Sequence, residues 1–115
     1  MNRAFLVLFA TAIAFAPLLH AQSKSPSIDD LLSLRRVGSP AISPNGSLVA
    51  YTVRETNWDD DAYETEIWVG DANGTRRQLT RARKSSVQPA WSPDGGWLAF
   101  VSLRADKRQI YRINP

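Results

Sequence analysis

An all-β chain built from repeated antiparallel units is what this sequence predicts, and three observations carry that prediction. The first is an internal repeat. Pro40-Ala41-Ile42-Ser43-Pro44-Asn45-Gly46-Ser47-Leu48-Val49-Ala50-Tyr51 recurs, at an offset of 49 residues, as Pro89-Ala90-Trp91-Ser92-Pro93-Asp94-Gly95-Gly96-Trp97-Leu98-Ala99-Phe100. The second is a further pair, Glu66-Ile67-Trp68-Val69 against Gln109-Ile110-Tyr111-Arg112, at an offset of 43. The third is the form of the repeated stretch, a four-residue turn followed at once by an apolar run. Repeats of about 40–50 residues, each with several short strands, are the mark of propeller blades. The fold class expected is therefore about two blades of a β-propeller, the second incomplete, preceded by a short helix and a signal peptide.

The turn is read residue by residue. Ser92 takes the first position of a type I turn and Pro93, with its preset φ, the second. Asp94 tolerates the bridge or left-handed region at the third, and Gly95 supplies a positive φ at the fourth. Ser43-Pro44-Asn45-Gly46 repeats the same chemistry. The run Trp97-Leu98-Ala99-Phe100-Val101 is so apolar that it predicts a strand covered on both faces.

Taken in order, residues 1–21 read as a secretory signal peptide: Arg3 supplies the positive start, residues 4–16 carry no charge, and cleavage falls after Ala21. The apolar run is shorter than the ~20 residues a spanning helix needs, which favours a signal peptide over a retained anchor. Export to the periplasm or the exterior is the expected localisation. Residues 22–38 are a polar lead-in and a short helix. Ser27-Ile28-Asp29-Asp30 fits a capping box, and the helix is expected to run through Leu31, Leu32, Leu34 and Arg35 and stop at Gly38. Its small apolar face, Ile28, Leu31 and Leu32, suits packing on the first blade better than holding a partner.

The partial propeller occupies residues 39–115, with blades at 39–81 and 88–115. In the first, residues 48–53 form a strand, 54–65 a long acidic connection and 66–70 the next strand. Asp71-Ala72-Asn73-Gly74 makes a hairpin turn, and residues 76–80 form a polar outer strand whose Arg76 and Arg77 suit an exposed edge. Residues 81–88 link the blades. The shorter connection of the second blade, 103–108, accounts for the difference between the two offsets. The expected outer strand of the second blade would lie beyond Pro115, which reads as the start of something longer.

Chemistry is sparse. The sequence has 115 residues, no cysteine and one histidine, His20, inside the expected signal peptide. Neither a thiol nucleophile nor an imidazole-activated serine is available to the mature chain, and no G-x-S-x-G elbow or glycine-rich phosphate loop occurs. A net charge of +3 without aromatic–basic interleaving argues against nucleic acid. Asp59, Asp60, Asp61, Glu64 and Glu66 are dense enough to consider for calcium, but lack the glycine and bidentate glutamate of an EF-hand, so a solvated acidic loop is the reading. Trp58 is expected to pack on the blade, and the basic run Arg76, Arg77, Arg81, Arg83 and Lys84 to be solvated. No catalytic, cofactor-binding or metal-binding residue is assigned.

The repeated Ser43-Pro44-Asn45-Gly46 and Ser92-Pro93-Asp94-Gly95 turns, with Leu48-Val49-Ala50-Tyr51 and Trp97-Leu98-Ala99-Phe100-Val101-Ser102 behind them, resemble the propeller repeats shared by TolB and by prolyl oligopeptidase-type serine peptidases. Asp30-Leu31-Leu32-Ser33-Leu34-Arg35-Arg36-Val37, running into Pro40-Ala41-Ile42-Ser43-Pro44, looks like the propeller entry of bacterial acylaminoacyl-peptidase and dipeptidyl-peptidase relatives. A TolB-like protein would be expected to place an α/β domain before its propeller. The resemblance implies the non-catalytic start of an exported serine peptidase, with the triad on a C-terminal α/β-hydrolase domain outside these residues and the propeller gating access of peptides. A TolB-like scaffold that binds proteins is the second reading, and a ring assembled from several copies the third. No membrane contact is expected after signal cleavage, and no oligomeric state is implied.

Overall fold

The computed structural model describes residues 24–115; the expected signal peptide and His20 lie outside the described residues. A short helix α1 (Ile28–Leu32) is followed by seven strands: β1 (Arg36–Ile42), β2 (Leu48–Asn57), β3 (Ala62–Asp71), β4 (Arg76–Gln78), β5 (Ser86–Trp91), β6 (Leu98–Ser102) and β7 (Gln109–Ile113). They form two antiparallel meanders, a four-stranded sheet β1-β2-β3-β4 and a three-stranded sheet β5-β6-β7. These are two blades of a β-propeller, and the sheets do not close into a ring.

The sequence repeat is a repeat of backbone geometry. Each blade breaks register at the same place, between Gly38 and Ala41 on β1 and between Val87 and Ala90 on β5. Each break holds a non-glycine residue at positive φ, Ser39 at 47° and Gln88 at 56°, again 49 positions apart. Such bulges bend the strand and raise its twist. Both turns form as read. Gly46 N–H donates to Ser43 O at 2.8 Å and Gly95 N–H to Ser92 O at 2.9 Å, with both glycines at φ 72°. The serine hydroxyls also serve the strands behind: Ser43 Oγ accepts from Leu48 N at 2.9 Å, and Ser92 Oγ from Trp97 N at 3.0 Å.

The blades pack through one shared core. Ala50 and Ile67 of the first sheet meet Leu98 and Phe100 of the second, with Ala41, Leu79, Trp91, Tyr111 and Ile113 around them. Phe100 stacks on Tyr111 at 5.8 Å between ring centroids. Trp91 Nε1–H donates to Ala41 O at 2.9 Å, pinning one blade to the other. The turns come together too: a Cβ on Gly95 would lie 3.5 Å from Cδ of Pro44.

Several expectations are corrected. The capping box forms, with Asp30 N–H donating to Ser27 Oγ at 3.1 Å and Ser27 N–H to Asp30 Oδ2 at 2.8 Å. But α1 ends at Ser33, and Gly38 lies inside β1, because the bulged pairing of Arg36, Val37 and Gly38 with β2 claims the backbone that would have continued the helix. Ile28, Leu31 and Leu32 remain exposed instead of packing on the blade. The 54–65 connection is mostly strand: β2 and β3 continue as paired strands to Asn57 and Ala62, leaving only residues 58–61 as the turn. Two first strands, β1 and β5, were not expected as strands at all. The strand β6 is covered chiefly on one face, since Leu98, Phe100 and Ser102 are buried and Ala99 and Val101 half-buried. By contrast, the 71–74 hairpin turn forms as expected: Gly74 takes positive φ, at 86°, and Asp71 N–H donates to Thr75 O at 3.1 Å, closing a three-residue loop.

Candidate functional site

The two ends of the blades differ in kind. At one end lie the compact turns 43–46, 71–75 and 92–95, whose polar groups are spent on one another. Asn45 Oδ1, for example, accepts from Ser43 Oγ at 2.8 Å, Ser47 N at 3.1 Å and Ser47 Oγ at 2.7 Å. At the other end gather α1, the 58–61 hairpin tip, the 79–85 linker and the 103–108 loop. Of the six described non-glycine residues with positive φ, Asp61, Arg83, Ser85 and Asp106 are all here. Backbone held in sparsely populated regions concentrates where a fold does its work. Exposed apolar groups gather here as well, with Leu34, Trp58, Tyr63 and Leu103 all open to solvent.

Three clefts open at this end. One of about 210 Å³ lies between α1 and the strands, lined by Leu31, Leu32, Leu34, Arg36, Arg54 and Tyr63. A second, of about 530 Å³, has acidic and basic walls: Asp60 and Glu64 on the hairpin, Arg83 and Lys84 on the linker, with Leu103 closing it. A third, of about 290 Å³, runs along the outside of the hairpin past Trp58.

The hairpin tip is organised by one side chain. Asn57 Nδ2–H donates to Asp60 Oδ2 at 2.8 Å and to Glu64 Oε1 at 2.6 Å, while its Oδ1 accepts from the backbone of Asp59 at 3.0 Å. The acidic run is therefore a folded turn around an amide. Among the described residues no group of three or more His, Cys, Asp or Glu is arranged to hold a metal ion. Trp58 is 57% exposed and does not pack on the blade, because the strands extend and carry it out on the tip. Glu66 separates from the other carboxylates and is 5% exposed. It accepts hydrogen bonds from Thr80 Oγ1 and from Ala82 N, and Thr80 Oγ1 in turn accepts from Ile67 N at 2.8 Å. This carboxylate fastens the inter-blade linker to β3.

The linker has further ties: Ser85 Oγ accepts from Thr65 N at 3.2 Å and Ser102 Oγ donates to Lys84 O at 3.3 Å. Arg104 reaches Ser86 Oγ at 3.2 Å while lying over the rings of Phe100 and Tyr111. In the basic run, Arg76 and Arg77 are exposed on the outer strand and Arg83 and Lys84 turn to the second cleft. Sequence reasoning missed Arg36, Arg54 and Tyr63. The alternation Ala62-Tyr63-Glu64-Thr65-Glu66 is a strand signal that could have found the last of these.

No family model matches the chain. Individual proteins do. It is 36% identical over 85 residues to the uncharacterized peptidase YuxL of Bacillus subtilis, covering 72% of this chain and 13% of that protein. It is 29% identical over 96 residues to dipeptidyl-peptidase 5 of Porphyromonas endodontalis, covering 83% of this chain and 14% of the other. The Tol-Pal system protein TolB of Alkalilimnicola ehrlichii is 32% identical over 94 residues, 81% of this chain and 21% of TolB. Among solved structures, the acylaminoacyl peptidase of Pyrococcus horikoshii superposes with a TM-score of 0.58 at 23% identity, over 73% of this chain and 13% of that one, a likeness of fold. The chain thus spans about a seventh of the length of the peptidases it matches. Two blades sharing one turn, one bulge and one core, matched over most of their length by peptidases and by TolB alike, make this chain similar to the propeller portion of a prolyl oligopeptidase-type peptidase, with repeats of the TolB kind.

Proposed function

We propose that the chain is the N-terminal, non-catalytic propeller portion of an exported serine peptidase that hydrolyses peptides, and that its hairpin end faces the substrate and gates access to the catalytic domain. The observation that carries the reading is the match of these blades to two peptidases over 72% and 83% of the chain. The gating role is supported by the concentration of clefts, exposed apolar groups and positive-φ backbone at one end of the blades. On this reading residues 1–21 direct export, a lead-in with α1 follows, and the two blades begin with β1 and β5. The nucleophile, its histidine and its acid belong to a hydrolase domain outside these residues.

The test is a serine-directed fluorophosphonate probe applied to the full-length protein, with hydrolysis of labelled peptides measured in parallel. Labelling and inhibitable hydrolysis are expected, together with a mature N-terminus at Gln22 in exported material. Absence of labelling in folded protein contradicts the reading. The TolB likeness supports a second reading, a periplasmic scaffold that binds other proteins. On that reading the protein would retain a protein partner from the periplasm and label with no probe.

A further inference from the structure

Arg36 and Arg54 form one cross-strand pair of β1 and β2. Like charges directly opposite on neighbouring strands repel each other, and the fold does not compensate this pair. The single ion pair among the described residues joins Arg35 Nε to Glu55 Oε2 at 2.9 Å. It lies one position along the chain on each side, where strand alternation directs side chains to the opposite face. Arg36 and Arg54 instead line the cleft of about 210 Å³, completed by Leu31, Leu32, Leu34 and Tyr63, and no carboxylate lines it. Arg54 is held with its Cζ 4.1 Å from the centroid of the Tyr63 ring. A guanidinium stacked in this way keeps its in-plane N–H donors available.

We propose that this cleft binds a peptide carboxylate, held between Arg36 and Arg54, with a neighbouring apolar side chain against Leu31, Leu32 and Leu34. The inference deepens the peptidase reading by naming a substrate class for its gate, and it rests on that reading. Two guanidinium forks match the planar, bidentate geometry of a carboxylate. The leucine wall disfavours a doubly charged phosphate, which would lose more hydration there. The cleft is smaller than the roughly 300 Å³ of an ordinary small-molecule pocket, so it suits one or two side chains of a longer peptide. The carboxylate comes either from an acidic side chain or from a peptide C-terminus.

Three fluorescent peptides bound to the full-length protein, followed by anisotropy, test this: acetyl-Leu-Glu-Leu-amide, acetyl-Leu-Gln-Leu-amide and acetyl-Leu-Gln-Leu with a free C-terminus. At least one carboxylate peptide is expected to bind about tenfold tighter than the neutral amide. Preference for the first assigns the site to acidic side chains, and preference for the third to the terminal carboxylate. The double variant Arg36→Gln, Arg54→Gln is expected to erase the difference, and Arg77→Gln on the outer strand to leave it intact. Should the double variant not fold, the native protein decides: its preference must fall steeply in about 1 M salt, where exposed charges are screened. Equal binding of all three peptides, a double variant that still discriminates, or discrimination undiminished by salt would each overturn the proposal. Binding is read without hydrolysis. A protein that discriminates yet labels with no serine probe would therefore sink the peptidase reading and leave the site standing.

Discussion

At the scale of single residues, the two turns solve one problem with different chemistry. Asn45 and Asp94 are equivalent, and both accept hydrogen bonds from the serine two positions before. Asp94 does so as an anion. The Ser92 hydroxyl, then the Gly96 N–H, which donates to Asp94 Oδ1 at 3.0 Å, hold its carboxyl below its ordinary value of 3.8. A depressed folded-state value contributes stability that is present above the ordinary value and lost as pH falls through the folded one. Asp30, lowered by the Ser27 backbone N–H and then by the Ser27 hydroxyl, acts in the same sense. Asp94→Asn should therefore keep the turn and flatten the acid limb of a stability–pH curve measured below about pH 5, leaving the slope due to Asp30. An unchanged acid limb would show that the Asp94 bonds are not made in solution.

The glycines of the same turns give a second comparison. Gly46 and Gly95 share φ 72°, but a Cβ on Gly46 would meet nothing within 4 Å, while one on Gly95 would already touch Pro44. A β-branched residue at that φ costs about 1–2 kcal/mol on backbone grounds alone. Gly95→Val should lower the melting temperature of the folded protein more than Gly46→Val, because its methyls must also enter the contact between blades. Equal losses would remove the inter-blade contact from the account.

Among the elements, the inter-blade joint and the linker latch are the parts most open to mutation. Trp91→Phe preserves the aromatic packing and deletes the N–H that Ala41 O accepts, for an expected cost of about 1–2 kcal/mol in chemical denaturation. Thr80→Val leaves the Ile67 N–H and the buried Glu66 short of a partner, and about 1–3 kcal/mol should be lost. A neutral result for Thr80→Val would mean that the linker is not fastened through Glu66. Legibility divides by element in the same way. The turns could be read because Pro fixes its φ and Gly supplies conformational freedom, and β7 because Gln109-Ile110-Tyr111-Arg112 repeats the pattern of Glu66-Ile67-Trp68-Val69. The strand β1 could not, since Arg36-Val37-Gly38-Ser39-Pro40 carries Gly and Pro and becomes a strand only through its bulged pairing with β2. The extension of β2 and β3 was hidden by an acidic composition that suggested a loop, when the alternating pattern and Asn57 set the true turn. Glu66 looked like part of the acidic run. Its partners, Thr80 Oγ1 and Ala82 N, lie fourteen and sixteen residues further along the chain, and no local pattern shows that.

Over the whole molecule, the repeat shows what is left uncovered. Trp91, Leu98, Phe100 and Tyr111 of the second blade pack against the first. Their equivalents by offset are Ile42, Val49, Tyr51 and Trp68, and these lie on the face of the first blade turned away from the second. Ile42 is exposed, and Val49, Tyr51 and Trp68 are half-buried. The first blade thus carries a second copy of the blade-packing surface. On the far side, Ile110 of β7 is 79% exposed. Repeats of this kind bury their faces on neighbours, and the cleft residues Arg36, Arg54 and Tyr63 sit at the hairpin end of the same stack, where the proposed gate lies. The repeat and the fold class were thus legible from sequence, whereas the residues of the proposed gate were not, because Arg36, Arg54 and Tyr63 come together only through strand pairing and the short run of α1. Among the described residues no helix is long and apolar enough to cross a membrane.

The central claim, that these blades belong to a serine peptidase, is tested most directly by reading the gene onward from codon 115 in the source organism. The account predicts an open frame through further blades with the Ser-Pro-Asn/Asp-Gly turn and then an α/β-hydrolase domain bearing a G-x-S-x-G elbow with its aspartate and histidine. Further blades followed by a stop, with no such elbow, would contradict it and leave the TolB-like scaffold as the reading.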